Sequence, residues 1–276
     1  MPWPRPRVEI NKRNFSMTKV RVREIGIAYN DKGSGPVIVL LHGYPFNRSM
    51  WREQIDALEN SHRVIAPDLR GHGESDVAPA SIDEMARDVA SLMTTLEITR
   101  ATIGGLSMGG YVALSFHRLF PERVKALILA DTRASADSEE GKQTRAKQAE
   151  RALREGMEGI ANDMLPKLLR TDTSPEVLDR VRQMIVQTKP EGAVAALHAM
   201  ATRDDQTSFL SQITKPALIL VGRNDVITPL KDSEVMHREI KSSQLEIIED
   251  AGHVSNLEQP DKFNKALEGF LTSHSL

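Results

Sequence analysis

The chain has 276 residues, 40% hydrophobic and 27% charged, with a net charge of -2 and no cysteine. A chain this long buries roughly three quarters of its unfolded surface, so one large domain, or one carrying an insertion, needs no covalent staples. The near-neutral charge gives no electrostatic case for nucleic acid or an anionic membrane. The lack of cysteine removes disulfides, thiolate catalysis and Cys-based zinc sites, and fits a reducing compartment.

Residues 1–19 read as an N-terminal arm. Met1 to Met17 hold three prolines and four basic side chains but no apolar stretch of the kind a signal peptide needs. No run approaches the ~18 apolar residues of a membrane span, so the expectation is a cytoplasmic protein. Val20 and Val22, then Ile25, Ile27 and Tyr29 after a shift of phase, suggest two short strands or one bulged strand, with a turn at Asp31 to Pro36. Val37-Ile38-Val39-Leu40-Leu41 is the unbroken apolar run of a buried parallel strand, ending at His42-Gly43-Tyr44-Pro45. Ser49 is the expected cap of a helix with Trp51, Ile55 and Leu58 on one face.

A strand at Arg63 to Pro67 leads into Asp68-Leu69-Arg70-Gly71-His72-Gly73-Glu74-Ser75, and a helix is predicted from Ile82 to Leu96. Strand Ala101 to Leu106 runs into Ser107, and the helix beyond it closes at Pro121. Val124 to Ala130 is the next strand, ending at Asp131. This alternation predicts a mostly parallel, doubly wound α/β sheet. From Ala134 to Gln212 the strands stop. Stretches at Ala149 to Met157, Ile160 to Leu169, Pro175 to Val186 and Glu191 to Met200 read as helix, and alternation resumes at Pro216 to Gly222. A helix at Leu230 to Ile240, a strand at Gln244 to Ile248 and a helix from Pro260 to Leu271 complete the chain. The pattern divides it into a core at 20–133 and 213–276 and a helical cap at 134–212. Within the cap, Met164, Leu168, Met184, Leu197 and Met200 are either core or the lining of an adaptable pocket, and Arg203-Asp204-Asp205 is expected to be solvated.

Gly105-Leu106-Ser107-Met108-Gly109 is a Gly-x-Ser-x-Gly turn from strand to helix, where side chains two residues either side of the serine would crowd a strained backbone. An activated serine needs a base and a group that orients the base. In such sheets functional residues follow the carboxyl ends of strands. By that criterion His253 is the base and Asp225 the acid, with Asp131 as the rival acid. His42 is expected to brace its own loop, and Asp68, His72 and Ser75 to stabilise theirs. Oxyanion donors are expected from the backbone N–H groups of Met108, at a helix start, and of Tyr44. No zinc, P-loop or dinucleotide motif is present, so neither metal nor cofactor is expected.

With Gly222-Arg223-Asn224-Asp225 and Ala251-Gly252-His253-Val254-Ser255-Asn256-Leu257-Glu258-Gln259-Pro260 added, the chain from about Val20 to Leu271 resembles the α/β-hydrolase superfamily. Its blocks are similar to those of the 3-oxoadipate enol-lactonase-like and small bacterial carboxylesterase branch. The resemblance implies an α/β-hydrolase fold with an inserted helical cap, and hydrolysis of a small-molecule ester or lactone through Ser107, His253 and Asp225. Two alternatives share these residues: cofactor-free haloperoxidase or perhydrolase activity, and a hydrolase-like ligand receptor with little turnover.

Overall fold

The computed structural model describes residues 18–276. The expected arm lies outside them except for Thr18 and Lys19, which already belong to the first strand. Strands β1 (Thr18–Val22) and β2 (Ile25–Lys32) form an antiparallel hairpin, with Val20 opposite Ile27. The phase shift in the sequence is the turn at Arg23-Glu24, where Arg23 takes a positive φ of 52°. Strands β3 (Val37–Leu41), β4 (Arg63–Pro67), β5 (Ala101–Leu106), β6 (Val124–Ala130), β7 (Ala217–Gly222) and β8 (Ser243–Ile248) are parallel to one another. The eight-stranded order is β1-β2-β4-β3-β5-β6-β7-β8. This is the mostly parallel α/β sheet that the alternation of elements predicts, with the hairpin β1-β2 antiparallel at one edge.

Strands β5 and β7 are buried along their whole length, and β7 accordingly reads as an unbroken apolar run. Helices α1 (Arg52–Leu58), α2 (Ile82–Thr95) and α3 (Met108–Leu119) connect the first strands. The α1 turn is capped by Asn47, not by Ser49: the Asn47 side chain accepts from the Ser49 N–H, and a 3-10 turn over Arg48–Trp51 precedes the α-helix. Asn suits this position because its short amide oxygen reaches the free N–H groups of the first turn. Trp51, Ile55 and Leu58 are buried beneath it.

Between β6 and β7 the chain is helical throughout. It forms α4 (Glu139–Glu155), α5 (Met157–Leu168), α6 (Pro175–Val186) and α7 (Pro190–Ala201), then a 3-10 turn at Thr207–Gln212. Helix α4 begins ten residues before the expected start at Ala149. Its first two turns carry no apolar face, but Ser138 caps it through the Gly141 N–H and Glu139 and Glu140 favour its positive end. Leu168, Met184, Leu197 and Met200 are buried in the apolar core, with Met164 packed against it. The chain ends with α8 (Leu230–Glu239), α9 (Ser255–Glu258) and α10 (Pro260–Ser273). Among the described residues no helix is long and apolar enough to cross a membrane.

The strand order determines where a ligand meets the sheet. The chain passes from β3 to β4 on one side and returns to β5 on the other, so the crevice between β3 and β5 is a topological switch point. The loops carrying Tyr44 and Ser107 both leave the sheet there.

Candidate active site

Ser107 sits between β5 and α3 with φ 55° and ψ -113°, a region that non-glycine residues rarely occupy. The turn is tight enough that a Cβ on Gly105 would collide with the Gly109 backbone, and one on Gly109 with the Leu41 carbonyl. Backbone bonds hold the strain: Ser107 N–H donates to Ala130 O at 2.9 Å, and Thr132 Oγ1 donates to Ser107 O at 2.8 Å.

The structure brings three distant side chains into one hydrogen-bonded line. Ser107 Oγ lies 2.8 Å from His253 Nε2, and His253 Nδ1 lies 2.8 Å from Asp225 Oδ2. An ionised carboxylate only accepts, so the imidazole proton sits on Nδ1 and Nε2 is left to accept from the serine hydroxyl. All three side chains are buried or nearly so. Burial by itself would lower the His253 pKa, but the attraction and hydrogen bond of Asp225 outweigh it and raise the value above 6.5. Burial works against the ionised Asp225 as well, and His253 together with Thr228 pulls its pKa below the ordinary value.

Thr228 was not apparent from the sequence. Its hydroxyl donates to Asp225 Oδ2 at 2.7 Å and lies 3.3 Å from His253 Nδ1, while Asp225 Oδ1 accepts from the N–H groups of Ile227 and Thr228. The spacing Asp225-x-x-Thr228, closing on Pro229, is the available signal: an aspartate that folds the next three residues around its own carboxylate. Asp131, the rival acid, does not bond His253. It accepts instead from Gly222 and Ser255.

Met108 is the first residue of α3, so its N–H has no partner within the helix. The Gly43-Tyr44 loop lies against the same turn: a Cβ on Gly43 would stand 3.3 Å from Ser107 Cβ. His42 ties that loop down. Its Nδ1 bonds Gly43 O at 2.9 Å and its Nε2 accepts from Leu69 N–H at 2.9 Å. Burial pushes the imidazole down to about 4, which keeps it neutral and suited to both bonds. Asp68 accepts from the N–H groups of Arg48 and Glu74, and Ser75 Oγ donates to Asp68 O, so this block holds its own loop together.

Arg203 departs from expectation. It is buried, not solvated, because it pairs with Asp137 at 2.9 Å, covers the Tyr111 ring at 4.1 Å and donates to Met200 and Ser135 carbonyls. A cavity of about 380 Å³ opens elsewhere, between Asn47, Arg48, Arg52 and Glu74, and holds none of the three aligned side chains. Among the described residues no three His, Asp or Glu side chains converge as a metal-ligand set.

The family model of the alpha/beta hydrolase fold matches residues 36–260. The chain is 33% identical to 3-oxoadipate enol-lactonase 2 of Acinetobacter baylyi over 86% of its own length and 88% of that protein. Among solved structures, a thermophilic esterase from Thermogutta terrifontis, with malate bound, superposes with a TM-score of 0.91 at 42% identity, over 94% of this chain and 99% of that one. The enol-lactonase of Burkholderia xenovorans gives 0.87 at 31% identity, over 92% and 100%. In sequence and in fold alike, the chain belongs to the alpha/beta hydrolase family.

Proposed function

We propose that this carboxylic ester hydrolase cleaves small esters or lactones through Ser107, His253 and Asp225. The observation that carries the reading is the unbroken line from Ser107 Oγ through the imidazole to Asp225, with 2.8 Å at each step. The names of its relatives, an esterase and two enol-lactonases, support the substrate class.

In this reading Ser107 Oγ attacks the carbonyl carbon while His253 Nε2 takes the hydroxyl proton. The carbonyl oxygen becomes an oxyanion held by the N–H groups of Met108 and Tyr44, each worth roughly 3 kcal/mol to the transition state. The C–O bond to the leaving alcohol then breaks and His253 returns the proton to that oxygen. Water, deprotonated by the same imidazole, attacks the acyl-serine ester and frees the acid. Asp225 keeps the proton on Nδ1 and stabilises the imidazolium. A lactone follows the same course with its alcohol still attached to the acyl group. The segment 134–212 acts as the cap that shapes the acyl pocket.

The test is Ser107→Ala assayed with p-nitrophenyl acetate, alongside fluorophosphonate labelling of the parent. Loss of turnover, with labelling confined to Ser107, supports the reading. A variant that hydrolyses at the parental rate overturns it. Esters of graded chain length and a set of γ-lactones then define the acyl preference.

A further inference from the structure

Three consecutive residues at the end of β6 touch all three loops of the site. Ala130 O accepts from Ser107 N–H, and Thr132 Oγ1 donates to Ser107 O. Between them Asp131, at a φ of 43° and with no exposed surface, turns its carboxylate toward the other two loops. Its Oδ1 accepts from Gly222 N–H at 2.8 Å, three residues before Asp225. Its Oδ2 accepts from Ser255 Oγ at 2.5 Å and Ser255 N–H at 3.3 Å, two residues after His253.

We propose that Asp131 is a positioning residue that locks the Asp225 loop and the His253 loop to one strand end and, when ionised, adds a second negative charge to the field around the imidazole. The inference rests on the serine hydrolase reading above. A fully buried carboxylate is costly unless donors surround it, and a packing role needs no charge. Here three donors converge from the two loops whose separation determines whether the acid reaches the base. Displacing a reacting group by about 1 Å costs on the order of a hundredfold in rate, so a tie between these loops acts directly on turnover.

The charged surroundings are few. Asp131 faces Asp225 and His253; His253 faces Asp225, Asp131 and, with opposite effect, Arg133. Burial first, and then repulsion from Asp225, push Asp131 up to about 7. Above that pH its negative charge favours the imidazolium of His253, and below it the protonated carboxyl adds none. An Asn at this position keeps the shape, but its NH2 must face either the Gly222 N–H or the Ser255 N–H, so one backbone donor loses its acceptor and the charge disappears, while the Ser255 hydroxyl can turn to accept. Ser255→Ala removes one donor and leaves the charge.

The experiment measures kcat and KM of Asp131→Asn and Ser255→Ala, and follows the His253 imidazole by NMR titration of each in a Ser107→Ala background. Asp131→Asn is expected to lower kcat about tenfold or more with KM within about twofold, and to move the His253 midpoint to lower pH. Ser255→Ala is expected to lower kcat less and leave the midpoint in place. Parental kcat in Asp131→Asn, or a reduced kcat with an unmoved midpoint, overturns the proposal. If Asp131→Asn does not fold, Ser255→Ala decides: a reduced kcat at parental Tm upholds the tie, and a parental kcat overturns it. The NMR midpoint does not depend on turnover, so failure of the hydrolase reading is seen separately, as activity surviving in Ser107→Ala.

Discussion

The backbone N–H of His253 donates to the carbonyl oxygen of Leu168 at 2.9 Å. The last residue of α5 is thus bonded to the proposed base, and Glu258 doubles the link. Its Oε2 accepts from Gly252 N–H at 2.6 Å, and its Oε1 accepts from Arg170 N–H at 3.0 Å and from Thr173 Oγ1. The end of α5 and the segment holding His253 are therefore tied together by hydrogen bonds. Glu258→Gln places an NH2 against one of these donors, with a cost of about 1–3 kcal/mol. A lower Tm and a kcat that falls more than KM rises are expected; an unchanged melt and unchanged kinetics would sink the link.

Asp137 joins both ends of the helical segment to the core. It pairs with Arg203 at 2.9 Å, with Arg133 at 3.0 Å and with Arg145. Burial opposes its charge, but Arg145 and Arg203 pull its pKa down to about 2. Removing one member of a buried ion cluster strands the others, at a cost of about 3–5 kcal/mol. Urea melts of Asp137→Asn at pH 7 should show a loss of that size. Because the folded value lies below the unfolded one, this stabilisation is present above pH 3.8 and is lost as pH falls through about 2. The gap between parent and variant should therefore persist at pH 5, and a gap that has vanished there contradicts the assignment.

Helix α7 lies directly on the turn after β4. A Cβ on Gly192 would overlap the Gly71 carbonyl, and one on Gly71 would stand 2.9 Å from Gly192 Cα. Gly192→Ala must push backbone from backbone, for about 1–3 kcal/mol. Thr188, in the turn before α7, donates to Pro45 O at 2.7 Å beside Tyr44, so the shift reaches the proposed oxyanion loop. Lower Tm with reduced kcat is the expected pair; a variant with parental values would show that the contact yields without cost.

Activity should rise with pH through the ionisation of His253, which must be neutral to accept the serine proton. The Asp225 carboxylate raises that pKa, so the acid limb should have its midpoint above 6.5. Asp225→Asn removes the charge and the Nδ1 acceptor, lowering kcat by roughly 10⁴ and moving the residual limb to lower pH. For stability the same pair has the opposite slope. A raised folded pKa contributes fully below about 6.5 and is lost as pH rises through the folded value. Rates and urea midpoints measured from pH 5 to 9 check both signs, and a pH-independent rate would remove His253 from the base role.

Much of the fold was legible because it rests on local regularities. The runs Val37 to Leu41 and Val124 to Ala130 are buried at all but one position each, as parallel strands are, and the glycines around Ser107 mark a turn that admits no side chain. Ser107, Asp225 and His253 were candidates by motif, order and strand-end position alone. Of the misreadings, only that of Arg203 turns on partners remote in sequence. Arg203 looks solvated until Asp137, Tyr111 and Ser135 are folded around it. The α4 start lacks the apolar period that would reveal it, and its helix rests on capping and on later packing.

The sequence by itself determined the order of the elements and pointed, through its motif blocks, to the family and to candidate site residues, since these follow from periodicity, turn constraints and residue type. Only the tertiary structure shows the contact itself. Asp131 and Asp225 both follow strands; the sequence favours Asp225, and the fold brings that carboxylate to the imidazole. The turn of Asp225 around Thr228 aims its carboxylate at Nδ1, whereas Asp131 is taken by Gly222 and Ser255, groups 91 and 124 residues away in the chain. Hydrogen bonds across such separations are set by how the sheet and loops pack, and that information has no local trace.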